Sequence, residues 1–363
     1  MIKQEENKNK RKIKILYLGN FSDPKYEGLM TIVNSLKSHL KVDKIYVNDI
    51  SKANEVDLIN IHSSGFYESI KFLRMKGVKI YSLHANIIPL YFMRLLDYIQ
   101  WVSFVYNKKS DYLPLHYRVI KICANIVSNF TPIFIKRFFL NKINVVVIPN
   151  TWLLNKLKLN NGYLIRQGID IQKFRNTRTK KRRGKLIVSY FGHPDPEKGI
   201  FEVISSFSKL QNNFFEKRMF LTEKNPKIEN YINKKDESIK VFGFVNNIVN
   251  EYNNSDIIVL PYRHSLGGIS TPLVLIEAMA CEKAIITTNL PHLQEICGDA
   301  VVYVKPYSVK DITKAIESLA RNSEIRKKLG RGAREKIVKH YNQEKMFHEY
   351  EKLYEKVIVS SQQ

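Results

Sequence analysis

Apolar and polar residues follow each other along most of the chain in the pattern of buried strands separated by helices. Short apolar runs that end in Gly, Asn or Ser predict strands, and the stretches between them carry apolar residues at helical spacing. The run 13–21, "IKILYLGNF", and the helical stretch 26–40 form the first such pair. Strands that alternate with helices favour a parallel sheet covered on both faces. The pattern therefore predicts an α/β fold.

The same succession occurs twice, on either side of a basic run. Residues 175–185, "RNTRTKKRRGK", lack apolar periodicity and are predicted to form a solvated linker. A chain of 363 residues also favours two domains. We expect a disordered basic tail (1–12), an N-terminal domain (13–175), a second domain (176–342) and a C-terminal helix (343–363) that packs back on the N-terminal domain. Two doubly wound halves would leave a cleft between them as the ligand site.

The chain is strongly basic. It has 59 Lys and Arg residues against 34 Asp and Glu, a formal net charge of +25. Such a field suits nucleotides, nucleic acid or an anionic membrane face, although a Lys-rich composition alone would also produce it. The basic residues do not interleave with aromatic ones in a nucleic-acid-binding module, so we expect no nucleic acid partner.

Residues 86–142 are apolar, aromatic and basic, and their longest uncharged stretch runs from Ile122 to Ile135. That stretch is too short for a spanning helix. Basic residues that flank aromatic and aliphatic ones are typical of a helix on an anionic leaflet. The alternative is a set of helices packed on the sheet with a basic outer face. The scattered cysteines fit a reducing compartment, and we expect a cytoplasmic protein, peripheral on the inner face of the cell membrane.

Several stretches stand in a fixed order that is specific when they are taken together. The second half contains "SYFGHPDPEKG" (189–199), "VFGFV" (241–245), "SDIIVLPY" (255–262) and "STPLVLIEAMACEKAIITTNLPHLQEI" (270–296). With "INIHSSG", "YSLHA" and "IRQGIDIQKF" in the first half, they resemble the retaining glycosyltransferases of family 4. The resemblance implies the GT-B architecture, in which two Rossmann-like domains face each other across a cleft.

Glu277 lies inside the first turns of an apolar helix. An ionised carboxylate is a two-oxygen acceptor for a vicinal diol, and a position near a helix N-terminus stabilises its charge. We expect Ser270 or Thr271 to cap this helix and Pro272 to lie in its first turn. The resemblance implies that Glu277 binds the ribose of a nucleotide-sugar donor, with Ser270 and Thr271 also at the donor site.

Two positions depart from the family pattern. Ile269 stands where the family has its first glutamate, which usually touches the donor sugar, and His193 stands where the family has an arginine. A donor with a different hydroxyl pattern, replacement by Ser265 or Ser270, or loss of catalysis would each explain Ile269. A protonated His193 could replace part of the arginine's charge, in which case activity would fall as pH rises through its titration.

Lys198 in "FGHPDPEKG" matches the family lysine that contacts the donor diphosphate. Its ammonium can stabilise the leaving diphosphate while the glycosidic bond breaks. The sequence has no Asp-x-Asp pair of the kind that holds a divalent ion on a diphosphate, and the family needs none, so we expect neither a metal nor a cofactor. Gly243 is expected to let the nucleobase pack against the backbone, and Val245 to contact it.

In the first half, His84 ends a predicted strand, and the resemblance places it beside the reacting centre and the acceptor. His62 has a similar position in "INIHSSG", but the sequence supports a functional role for it less strongly. Glu27 and Gly28 match part of a glycine loop that leads into the first helix, where a ligand could approach the backbone. Structural roles are expected for three other matching residues, which are Glu295, Gly168 and Asp170.

The predicted reaction is the transfer of a sugar, with retention, from a UDP- or GDP-linked donor. The acceptor is expected to be a sugar or a polyprenyl-linked glycan. A non-catalytic nucleotide-sugar binder is the main alternative, because Ile269 and His193 depart from the pattern. A non-hydrolysing sugar-nucleotide epimerase shares the architecture but not these motifs.

Overall fold

The computed structural model describes residues 13–19, 27–40, 42–63, 69–70, 73–84, 131–177, 184–222, 226–264 and 270–361. These residues form two compact units. The described residues up to His84, together with 131–165 and 345–361, make up the first unit, and the described residues from Arg166 to Glu344 belong to the second.

The first unit is built on a six-stranded sheet in which all neighbouring strands are parallel. Its strands are β1 (Lys14–Gly19), β2 (Lys44–Val47), β3 (Leu58–Ser63), β4 (Lys79–Leu83), β5 (Val145–Ile148) and β6 (Gly162–Leu164). The spatial order β2-β1-β3-β4-β5-β6 reverses direction beside β1. In doubly wound sheets, ligands bind at the carboxyl ends of the strands beside such a reversal.

The helices described in this unit include α1 (Glu27–His39), α2 (Ile133–Leu140), α3 (Thr151–Leu157) and the long C-terminal α11 (Gln343–Ser360). The apolar side chains of α11 recur every three or four residues, so they share one face. That face contributes Phe347, Leu353 and Tyr354 to a core shared with Ile15 and Tyr17 of β1.

A polar network lies inside this core. The hydroxyl of Tyr354 is 3.1 Å from that of Tyr17 and accepts a hydrogen bond from Asn60 Nδ2 at 2.7 Å. Ser82 Oγ donates to Asn60 Oδ1 at 2.8 Å, and Tyr350 Oη donates to Ser82 Oγ at 3.3 Å. Because buried polar groups are costly unless they are paired, α11 contributes hydroxyls that satisfy polar residues of the sheet.

The second unit has its own six-stranded parallel sheet, in the order β12-β11-β10-β7-β8-β9. Its strands are β7 (Leu186–Gly192), β8 (Phe215–Leu221), β9 (Lys240–Phe242), β10 (Ile257–Leu260), β11 (Ala284–Thr288) and β12 (Val302–Val304). A 3-10 turn, Pro196–Lys198, precedes α4 (Ile200–Phe207), and the next helices are α5 (Pro226–Lys235) and α6 (Ile248–Asn254). They are followed by α7 (Leu273–Ala280), α8 (Pro291–Cys297), α9 (Val309–Arg321) and α10 (Ser323–His340).

This order is that of the Rossmann fold, and it reverses between the neighbouring strands β7 and β10. Apolar clusters cover both faces of the sheet, one around α4 and α9 and the other around α7 and α8. The predicted α/β class, with two Rossmann-like doubly wound halves, is confirmed.

The boundary between the units precedes the basic run that the sequence analysis took as a linker. Ile169 and Phe174 pack into an apolar cluster of the second unit. Ile169 N–H donates to Tyr341 O at 2.9 Å, and Gln343 N–H donates to Ile169 O at 3.0 Å. The segment after Ile165 therefore belongs to the second unit because its apolar side chains and its backbone are both bound there.

Within the described ranges, no helix is long and apolar enough to cross a membrane. Most of the predicted membrane-facing segment 86–142, namely residues 86–130, lies outside these ranges. Its described end carries α2, in which Phe134 and Phe138 are exposed at 65% and 58%.

Candidate functional site

The segments that follow β7 and β10 come close to each other at Gly199 and Pro261. Gly199 has φ +73°, and a Cβ built on it would lie 2.0 Å from Pro261 O. Glycine is therefore required, both by its left-handed conformation and by the contact. The approach places Lys198 beside the residue after Pro261, and Lys198 Nζ lies 5.7 Å from the ring centroid of Tyr262.

A histidine that the sequence analysis did not single out lies near Lys198. His292, the second residue of α8, is buried, and burial together with the positive charge of Lys198 lowers its pKa to about 4. At neutral pH the imidazole is therefore uncharged, and it does not add to the charge of the lysine. The only sequence signal for this residue was a histidine directly after Leu-Pro, at the start of what is α8 in the structure.

His193 follows β7 directly, and a residue of β7 and the residue after β8 hold it in position. Its Nδ1 lies 2.7 Å from Thr222 Oγ1, and Tyr190 Oη donates to its carbonyl oxygen at 2.8 Å. The ring is half-buried at the carboxyl edge of the sheet. Thr222 was not predicted as a partner, because it lies after β8 and is distant in sequence.

The start of α7 differs from the prediction. The capping position is Pro272, which makes no side-chain cap, so the expectation that Ser270 or Thr271 caps the helix is wrong. Pro272 has an extended backbone, with ψ 117°, and α7 begins at Leu273. Ser270 and Thr271 therefore precede the cap, and their side chains are directed into the protein.

Both hydroxyls are fully buried, and neither Ser270 Oγ nor Thr271 Oγ1 has a hydrogen-bond partner within the described part of the chain. An unpaired buried hydroxyl costs about 1–3 kcal/mol. Next to the first N–H groups of α7, which no side chain caps, the two hydroxyls can donate to an anionic oxygen.

Glu277 is the fifth residue of α7, and its side chain is half-buried. Tyr252 Oη donates to Glu277 Oε2 at 2.8 Å. Burial, and next the charge of Glu277, raise the pKa of Tyr252 well above its usual range. The phenol therefore stays protonated and acts as a donor, which fixes one oxygen of the carboxylate.

The loop after β9 contains Gly243 and Val245. A Cβ on Gly243 would meet no atom within 4 Å, so protein packing does not require glycine there. Val245 packs against the apolar cluster that contains Tyr252. The loop thus has open space at Gly243 beside an anchored apolar side chain.

In the first unit, His62 and His84 lie at the carboxyl ends of β3 and β4. His62 Nδ1 is 3.0 Å from His84 Nε2, and the rings stack with centroids 5.2 Å apart. Burial, and next the neighbouring His84, lower the pKa of His62 well below its usual range, and burial lowers that of His84 to about 4. Both rings are therefore neutral at pH 7, and a single hydrogen lies between the two nitrogens.

The other residues singled out from the sequence are placed as follows. Glu27 and Gly28 begin α1, but their side chains lie outside the described part, as do Ile269 and Ser265. Glu295 forms an ion pair with Arg166 at 3.2 Å. Asp170 Oδ1 accepts hydrogen bonds from the backbone N–H groups of Gln172 and Lys173. Gly168 lies against the backbone of Asn342 and Gln343.

The comparisons with known proteins identify the second unit. Residues 170–336 match the family model of glycosyl transferases group 1. The capsular polysaccharide biosynthesis glycosyltransferase CapM of Staphylococcus aureus is 25% identical over 218 residues, which are 55% of this chain and 56% of CapM. The chain thus spans about half the length of that relative. The uncharacterized glycosyltransferase MJ1069 of Methanocaldococcus jannaschii is 24% identical over 96% of this chain and 100% of its own.

Solved structures share the fold of the whole chain. The sucrose-phosphate synthase of Thermosynechococcus elongatus has a TM-score of 0.69 at 14% identity, over 96% of this chain and 100% of its own. Anabaena HepE in complex with UDP has a TM-score of 0.67 at 12% identity, over 95% and 100%. The chain therefore has the GT-B fold. Residues 170–336 of its second unit resemble the glycosyl transferases group 1 family, and the predicted resemblance is confirmed at that level.

Proposed function

We propose that the protein is a retaining glycosyltransferase of family 4 that moves a sugar from a nucleoside diphosphate donor to an acceptor. The observation that carries the proposal is the set of groups at the carboxyl edge of the second sheet. Lys198, two buried unpaired hydroxyls and a half-buried carboxylate lie on segments joined to β7, β10 and α7. Structures of Anabaena HepE with UDP and with UDP-glucose support a nucleotide-sugar donor.

The ribose, the diphosphate and the nucleobase of the donor are each assigned a group in the second unit. The Glu277 carboxylate accepts hydrogen bonds from the ribose hydroxyls. Tyr252 already orients one of the two carboxylate oxygens for this role. The Ser270 and Thr271 hydroxyls and the first N–H groups of α7 bind the diphosphate. The open space at Gly243 receives the nucleobase, with Val245 beside it.

Lys198 stabilises the leaving group. When the bond between the anomeric carbon and the diphosphate breaks, negative charge builds up on the phosphate oxygen, and a nearby ammonium lowers the energy of that state. His292 is uncharged at neutral pH, so it adds no positive charge of its own beside this anion. His193, held by Thr222, is proposed to complete the phosphate contacts in place of the family arginine. On this proposal the reaction needs no metal and no cofactor.

The first unit is proposed to bind the acceptor at the carboxyl ends of β3 and β4. His84 is neutral there, so it hydrogen-bonds to a hydroxyl without contributing charge. Glu27 and Gly28, at the start of α1, are proposed to border the same acceptor site.

The acceptor is proposed to be a sugar or a polyprenyl-linked glycan that is presented at the inner, anionic face of the cell membrane. Phe134 and Phe138 of α2 are exposed, and Lys142 Nζ lies 4.3 Å from the ring centroid of Phe138. Exposed aromatic rings next to cations are typical of an interfacial contact. Flotation with phosphatidylglycerol vesicles should recover the wild type, and neutral vesicles should not.

The matched variants sharpen that experiment. Replacing both Phe134 and Phe138 by Ser should reduce recovery, while Phe214→Ser, which removes an exposed ring of the second unit, should not. Equal recovery of all three proteins would contradict a membrane contact at α2.

Donor turnover tests the reaction. Purified protein is incubated without metal with UDP-, GDP- and ADP-sugars, and release of nucleoside diphosphate is measured. Release from one donor, lost in Glu277→Ala and Lys198→Ala, is the expected result. Turnover that survives both substitutions would contradict the proposed site.

A non-catalytic nucleotide-sugar binder remains the second candidate, because Ile269 stands where the family has its first glutamate. This candidate predicts tight donor binding without release, even when acceptor glycans are added. It also predicts that Ile269→Glu creates release where the wild type has none. Release by the wild type would exclude it.

A further inference from the structure

Four aromatic rings form a continuous row through the second unit. Phe191, Phe220 and Phe242 occupy paired positions on the adjacent strands β7, β8 and β9. Their rings stack with centroids 4.6 Å and 4.8 Å apart and interplanar angles of 5° and 13°. The ring of Tyr252 continues the row, with its centroid 4.7 Å from that of Phe191.

The two ends of this row lie at two separate parts of the proposed donor site. Phe242 is immediately followed by Gly243, in the loop proposed for the nucleobase. At the other end, the Tyr252 hydroxyl donates to Glu277 Oε2. Tyr252 is only 1% exposed, and its ring also lies near that of Phe174. The side chain of Asn247 caps the helix that carries Tyr252, which fixes the backbone as well.

We propose that Tyr252 is a positioning residue, which acts through Glu277 to set the carboxylate for the ribose hydroxyls of the donor. This inference rests on the proposed function, since it assumes that Glu277 binds ribose. Tyr252 itself is not expected to touch the nucleotide.

A phenol suits this task better than a cation would. A neutral donor orients a carboxylate without cancelling its charge, so the anion can still accept from a ligand. Elsewhere in the same unit, Glu202 is held by the guanidinium of Arg263 through bonds of 2.7 to 3.1 Å, which neutralises it. Glu202 is part of a structural ion pair, whereas the Glu277 carboxylate accepts a hydrogen bond from a phenol that stays protonated.

Tyr252→Phe tests the inference, because it removes one hydroxyl and keeps the ring in the row. Tyr303→Phe is the control, since the Tyr303 hydroxyl also makes one hydrogen bond, to Gly298 O at 2.6 Å, away from Glu277. Titration calorimetry of the full chain uses UDP, GDP and ADP, and then the 2′-deoxy form of whichever nucleotide binds. Thermal unfolding of each variant shows whether the fold is kept.

For the wild type we expect the ribonucleotide to bind about tenfold more tightly than its 2′-deoxy form, the effect of about one hydrogen bond to a charged group. Tyr252→Phe should weaken ribonucleotide binding about fivefold to tenfold and change 2′-deoxynucleotide binding less than about twofold. Tyr303→Phe should alter neither. A purely structural role would move both affinities together.

Three results would overturn the inference. If Glu277→Ala abolishes the preference for ribose but Tyr252→Phe leaves it intact, Tyr252 does not position the carboxylate, and the proposed function stands. If Tyr252→Phe weakens both nucleotides equally, its role is in the fold. If no nucleotide binds, or Glu277→Ala has no effect on binding, the proposed donor site fails together with the inference.

Discussion

The two units of this protein have sheets that share strand number and direction, but they differ in how two groups of buried polar side chains are paired. In the first unit, Tyr17, Asn60 and Ser82 are joined to one another and to tyrosines of α11 by hydrogen bonds. In the second, Ser270 and Thr271 have no partner within the described residues, although both are buried. A satisfied network stabilises a core, whereas unpaired hydroxyls cost stability and are tolerated where a ligand completes them.

The histidines of the two units also differ in their neighbours. His84 lies against His62, and the two neutral rings share one hydrogen. His292 lies near a lysine instead, and its pKa is lowered by burial and by that charge. A neutral, hydroxyl-binding edge suits a sugar acceptor, and an edge with a cation and free donors suits a diphosphate. This assignment can be tested separately in each unit.

The largest expected effect is that of Lys198→Ala. We expect donor turnover to fall about 100-fold, because removal of one group that stabilises developing negative charge has that order of effect. Lys235→Ala is the control, since Lys235 Nζ lies 5.8 Å from the Tyr231 ring, a geometry close to that of Lys198 over Tyr262. Steady-state release of nucleoside diphosphate measures both. Similar losses in the two variants would place the chemistry elsewhere.

Gly199→Ala should disrupt the second edge through the backbone. A Cβ would overlap Pro261 O and the positive φ would be strained, so we expect the free energy of unfolding to fall by about 2–4 kcal/mol. Gly243→Ala, where a Cβ meets open space, should change it by less than about 0.5 kcal/mol. Denaturant titration compares the two. Equal stabilities would mean that the approach of Gly199 to Pro261 is not as close as described.

His62→Phe should affect the acceptor step and spare donor binding. The ring still fits beside Tyr17 and His84, but it cannot hydrogen-bond to His84 Nε2. We expect kcat to fall about tenfold, with the dissociation constant of the nucleotide changed less than about twofold. His62→Asn should restore part of kcat, because the amide can place a polar atom near the former Nδ1. Loss of nucleotide binding in His62→Phe would contradict the separation of roles.

A last effect is expected on the pH dependence of stability. The pKa of His292 is about 4 in the folded protein, below the usual value of 6.5. Between these values the unfolded chain binds more protons, so His292 makes stability fall as pH decreases from about 6.5 to about 4, and contributes no slope above it. His292→Asn should remove this slope, which amounts to roughly 3 kcal/mol across the window. An unchanged slope in denaturant titrations would show that His292 is not buried as a neutral ring.

The sequence predicted the elements more successfully than the contacts between them. Strand and helix periodicity is local, and it was sufficient to predict two doubly wound halves. The boundary at Ile165 depends on where Ile169 and Phe174 pack, and no local pattern shows that. Likewise the cap of α7 depended on the backbone of Pro272, which takes the position expected for a hydroxyl residue.

The site residues show the same limit. Lys198, Glu277 and His84 were predicted because motifs carry them, and their roles stay predictions. Tyr252 and Thr222 were missed, because each reaches its partner from a different strand or helix of the sheet. The positioning groups of a doubly wound site come from several strand ends and are therefore spread through the sequence.

Hydrogen–deuterium exchange with and without the nucleotide-sugar selected from the donor panel tests the central claim most directly. We predict slower exchange at the Pro196–Lys198 turn, in the loop 241–245 and at the start of α7. Exchange in β3 and β4 of the first unit should not change until an acceptor is added. Protection confined to β3 and β4, or no protection in the second unit at saturating donor, would contradict the account.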